Sequence, residues 1–122
     1  MKNIVKFALF GDENDYLYFG IKELKELETL TDKGSLLAVI QPFASGDVSI
    51  EFLVSVLKIG LAKCYKEFNK DIQGVDALFE EHLGEYAFMD YVRVAFNAIM
   101  ESGIMGNPTK AGEKTAKAKA SK

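Results

Sequence analysis

Apolar and polar positions along this chain fall into two regimes. Near the start, Val5, Phe7 and Leu9 alternate with Lys6 and Ala8, and Ile4 and Phe10 extend the run, which predicts a strand over 4–10. Gly11-Asp-Glu-Asn-Asp15 is a turn cluster, and Tyr16-Leu-Tyr-Phe19 reads as a second, aromatic-rich strand that stops at Gly20. The pair predicts an N-terminal β-hairpin with a five-residue loop. A lone hairpin is marginally stable, so it must pack on helices or pair with another chain.

Beyond Gly20 the spacing becomes helical. Ile21, Leu24 and Leu27 form a narrow stripe with Lys22, Glu23, Lys25 and Glu26 facing water, predicting a helix over 21–30 that Thr31-Asp-Lys-Gly34 terminates. Ser35 is a candidate cap for a short helix over 36–41, which Pro42 should end or kink. Ser45-Gly-Asp-Val-Ser49 is the next break, with Asp47 or Ser49 as candidate cap.

The third helix, over 49–68, is apolar nearly all round. Ile50, Leu53, Val54, Leu57, Leu61, Cys64, Tyr65 and Phe68 fill one broad face. Phe52, Val56 and Ile59 lie on another, and only Glu51, Ser55 and Lys58 remain as a polar stripe. Such a helix must be covered on almost every side, in part by another subunit if the chain itself does not suffice. Phe52, Val56 and Ile59 are therefore the candidate face for self-association or for binding a client.

A loop over 69–74 leads to a fourth helix, over 75–83, with Val75, Leu78, Phe79 and Leu83 inward. A fifth, over 85–102, carries an exposed Asp90–Arg93 pair. The fold class predicted is mainly α: an N-terminal hairpin followed by about five helices packed as a small bundle, in one domain spanning 1–108. From Thr109 the chain has no large apolar residue to bury and is predicted to be a disordered Lys/Ala-rich tail.

Charge sharpens this picture. The net charge of −3 divides unevenly. Residues 110–122 hold five lysines against Glu113, which leaves −7 on residues 1–109. An acidic body does not suit nucleic acid. The tail has neither arginine nor an aromatic residue to stack on bases, so it reads as a solubilising or connecting segment. No run approaches the roughly 18 apolar residues of a membrane span, and Lys6 interrupts the first apolar stretch too early for a signal peptide. The expected location is cytoplasmic.

Candidate chemistry is sparse. His82, the only histidine, lies beside Glu80 and Glu81 with no Cys or His partner at metal-ligand spacing, and reads as a surface histidine on an acidic helix face. Cys64, the only cysteine, falls in an apolar face where thiolate formation is disfavoured, so a Cys64–His82 pair is a poor nucleophile and base. Asp12-Glu-Asn-Asp15 lacks the spacing and bidentate glutamate of a calcium loop and reads as a solvated hairpin tip. Gly103-Ile-Met-Gly106-Asn-Pro108 is a helix stop, without the lysine and hydroxyl of a phosphate loop. These patterns predict no enzyme activity, cofactor or metal.

The order of elements carries a resemblance. A hairpin runs into Phe19-Gly-Ile-Lys-Glu-Leu-Lys-Glu-Leu-Glu28. A short helix within 35–43 follows, then a long apolar helix bearing Leu57-Lys-Ile-Gly-Leu61, two more helices and a polar tail. Over residues 4–103 this resembles the small tail assembly chaperones of long-tailed phages and gene transfer agents. Where that family often has Pro-x-Leu-Thr after the long helix, this chain has Phe68-Asn-Lys-Asp-Ile72. The resemblance implies a non-enzymatic, self-associating protein that coats and solubilises the tape measure protein. It would be displaced as the tail tube protein polymerises, and would be absent from the mature virion. It also implies that the tail can connect to a frameshift-extended form. The alternatives are a nucleic-acid accessory protein using the basic tail, and a small helical regulator that is monomeric.

Overall fold

A computed structural model describes residues 3–104; the predicted tail lies outside the described residues. The fold is mainly α, a two-stranded hairpin followed by five helices packed as a bundle. β1 (Ile4–Lys6) pairs antiparallel with β2 (Tyr16–Tyr18) in the register Ile4–Tyr18, Val5–Leu17, Lys6–Tyr16. The strands are shorter, and the connection longer, than alternation predicts. Phe7 and Phe10 both turn into the core and meet edge to face at 4.9 Å, which bends the chain out of the extended form after Lys6. One further ladder-like bond, Phe7 N to Asp15 O at 2.9 Å, holds the base of the connection.

α1 (Ile21–Glu28) starts where the Gly20 N–H donates to Glu23 Oε1 at 3.0 Å. This bond turns Glu23 back over the helix start and buries it, against the expectation that it faces water. Ser35 caps α2 (Leu36–Ser45) by accepting from Ala38 N at 3.2 Å. The helix does not end at Gln41. It continues through Pro42 for another turn because Phe43 is thereby buried against Phe52 and Phe96, at 5.7 and 5.9 Å between ring centroids. That burial outweighs the helix hydrogen bond proline cannot make. Gly46, with φ +78°, ends the helix in a left-handed conformation open to glycine.

α3 (Ile50–Glu67), capped by Ser49, is the axis of the bundle. Leu53, Val56, Leu57, Leu61, Cys64 and Tyr65 are buried on it, with β2, α1 and the later helices around them. Gly60 sets the closeness of the hairpin. A Cβ there would lie 2.7 Å from Phe19 Cζ and 3.0 Å from Leu17 Cδ2, so only glycine lets β2 lie directly on the helix. A single 3-10 turn (Ile72–Gly74) leads into α4 (Val75–His82). α5 (Phe88–Glu101) begins three residues later than periodicity suggests. Residues 83–86 form a tight reversal bridged from Leu83 to Tyr86, and Asp90 Oδ2 accepts from Ala87 N at 2.8 Å to fix the new helix start. α5 returns to the hairpin, so that Asn3 and Ile104 line one recess together with Tyr18 and Ile21. Among the described residues no helix is long and apolar enough to cross a membrane.

Candidate functional site

Of the three residues that spacing placed on the candidate face of α3, only Val56 is fully buried. Val56 is 0% exposed, in the centre of the core. Phe52 is half-buried on Phe43, and Ile59 is half-buried against the core. The helix is rotated so that Ile50 and Val54, which spacing placed on the main apolar face, reach its boundary with solvent. Its own chain thus covers α3 at Val56, and the most exposed large apolar side chain on the helix, Ile50, lies at the margin beside the polar stripe Glu51, Ser55 and Lys58.

That margin forms one wall of a groove of about 1050 Å³. α3 supplies Ile50, Glu51, Val54, Ser55 and Lys58; α4 supplies Asp76, Phe79, Glu80 and Leu83; Val48 and Phe88 close one end. Both walls repeat every three or four residues, as helices lying side by side must. Phe79 is the buried floor, anchored on Tyr91 at 4.7 Å and on Phe10 at 6.2 Å. The other end carries the Lys58–Asp76 ion pair, at 3.4 Å. Ile50 and Leu83, at 63% and 52% exposed, leave large apolar side chains at the rim.

A second cluster ties the hairpin to the far end of α3. Asp15 is 1% exposed, not part of a solvated tip. Its Oδ1 accepts from Lys70 Nζ at 2.6 Å and from Cys64 Sγ at 3.6 Å, and Lys70 also donates to Asp12 Oδ2 at 2.5 Å. Burial alone would lower the Lys70 pKa, but its bonds to Asp12 and Asp15 outweigh that and hold it above the usual lysine range. The same Lys70 bond, helped by Asn14 N–H, holds the Asp12 carboxyl below the usual carboxylate range. Nearby, Tyr16 OH donates to Glu67 Oε2 at 2.7 Å; desolvation, then that bond, pushes the phenol up to about 12. Desolvation likewise pushes Tyr65 up to about 12, and its buried hydroxyl has no hydrogen-bond partner among the described residues.

Cys64 faces Asp15, and burial raises its thiol, so it is not activated as a nucleophile. His82 is more enclosed than a surface histidine. Its ring lies under Phe10 and the Gly11 turn, with Nδ1 3.0 Å from Glu85 Oε2. The two residues are held by separate partners. Asp90 and Arg93 pair at 3.4 Å on the exposed face of α5, as their spacing predicts. Among the described residues no group of three His, Cys, Asp or Glu side chains is placed to hold a metal ion.

No family model matches the chain, and neither a curated protein nor a solved structure matches it significantly. The groove therefore stands on its own geometry: an aromatic floor and apolar rims, which suit the binding of an apolar surface.

Proposed function

We propose that this protein is a tail assembly chaperone of a long-tailed phage or gene transfer agent, and that it binds the tape measure protein before the tail tube forms. The observation that carries this reading is the groove between α3 and α4, open and apolar at its rim. The order of elements resembling that family supports it. A long amphipathic chain in water aggregates unless its apolar stripe is covered, and many small copies, each offering an apolar groove, meet that need. The protein acts by covering surface, without a cofactor. It works in the cytoplasm of the host cell, associates with further copies along the client, and leaves before the particle is complete.

Affinity capture of the tagged protein from cells producing its phage, with mass spectrometry of the bound fraction, tests this. Recovery of a very long helical tail protein is the expected result. Recovery of the chain alone, while that long protein is being synthesised, overturns the reading.

A further inference from the structure

We infer that the α3–α4 groove takes a short amphipathic helix whose apolar ridge is flanked on both sides by lysine or arginine. This rests on the reading of the protein as a binder of a helical client and specifies the chemistry of the bound segment.

Length argues for a helix of two to three turns. From Ile50 to Lys58, α3 contributes about 12 Å of wall at 1.5 Å per residue, and α4 contributes a similar span from Asp76 to Leu83. Walls of that length match side chains at i, i+3, i+4 and i+7 of a docked helix.

Charge argues for a basic flank. Glu51 on the α3 wall and Glu80 on the α4 wall both line the groove beside the apolar strip, and both are exposed. Among the described residues neither belongs to a salt bridge, and the only cation lining the groove, Lys58, is taken by Asp76. A helix with cations on either side of its ridge satisfies both glutamates, and one with anions meets repulsion from both walls. A second copy is the poorer occupant because residues 1–109 carry −7. The chain's own segment 110–122 has the right charge but no apolar residue larger than alanine to fill the strip.

The test uses two fluorescent helical peptides of about fourteen residues with leucines at the same i, i+3, i+4, i+7 positions. One is flanked by lysine, the other by glutamate. Anisotropy titrations with the full chain are expected to show the lysine peptide binding at least about tenfold more tightly at low salt, with the margin shrinking as salt rises. The double variant Glu51→Lys, Glu80→Lys should reverse the preference, and Leu83→Asp should weaken both peptides. Each position is exposed, and circular dichroism checks that the variants fold. Equal binding of the two peptides, or no response to either variant, overturns the inference. So does sedimentation showing a dimer that Leu83→Asp dissolves and the peptide does not displace, since a second copy then occupies the groove. Capture of the tape measure protein unaffected by Leu83→Asp keeps the chaperone reading and overturns the groove. Selective peptide binding without any such capture supports the groove and removes the chaperone reading.

Discussion

Lys70 Nζ sits 2.6 Å from Asp15 Oδ1, joining a residue just beyond α3 to a carboxylate sealed under the hairpin. The contact spans 55 positions of sequence and fixes the hairpin against the bundle at the end opposite the groove. Removing the cation strands a buried carboxylate. Lys70→Met should therefore cost roughly 2–4 kcal/mol, short of the full penalty for a fully buried pair because Lys70 keeps some exposure. Urea unfolding measures this. Asp12→Asn, at the exposed end of the same triad, should cost much less.

The pH dependence arises at the same end of the molecule. Tyr16 and Tyr65 titrate near 12 in the folded chain against 10.0 for a free phenol. Their raised values favour the folded state below pH 10, and that contribution is lost as pH rises from 10 toward 12. On the acid side, the depressed Asp12 carboxyl contributes above its ordinary 3.8 and is lost as pH falls through its lower folded value. Thermal melts should show a plateau up to about pH 9, where the raised Cys64 thiol begins to act, and a steeper fall above pH 10. A fall beginning at about pH 8 would contradict this account of the phenols.

Tyr65→Phe isolates one of them. The hydroxyl is buried without a partner among the described residues, so its removal should be neutral or stabilising by about 1 kcal/mol and should weaken the alkaline fall. Denaturant midpoints near neutrality and near pH 11 read both effects.

Gly60→Ala should destabilise by about 1–3 kcal/mol, because the new methyl enters the space of the Phe19 ring and the hairpin must lift from α3. Loss of near-ultraviolet aromatic dichroism with retained helix content would locate the damage there.

Val56→Glu distinguishes core from surface on α3. With its side chain fully buried, the substitution should cost more than about 4 kcal/mol and abolish cooperative folding, whereas Leu83→Asp at the groove rim should change stability by less than about 1 kcal/mol. A folded, stable Val56→Glu variant would overturn the placement of that face.

Local chemistry was readable from residue order. Ser35 and Ser49 cap the helices they precede, Asp90 and Arg93 pair as their spacing requires, and the hairpin and five helices occur in the expected order. The features that were not readable depended on distant partners. Periodicity detects two apolar faces on α3 but cannot say which the rest of the chain covers, so Val56 and the Ile50–Val54 margin exchanged roles. Asp15 looks like a turn residue until Lys70 is brought to it, and Pro42 looks like a stop until Phe43 is given two rings to pack on. The signal that pointed toward the groove was the polar stripe Glu51, Ser55, Lys58: its neighbours Ile50 and Val54 mark where apolar surface meets water.

The recess shared by Asn3 and Ile104 makes the fold nearly a closed loop. Splicing residue 104 to residue 3 through a few glycines and reopening the chain at the exposed Asp32–Gly34 link would preserve every packed element. Fusions at positions 3 and 104 would likewise leave from one side of the molecule, with the length of α5 between them and Phe88 at the groove's end.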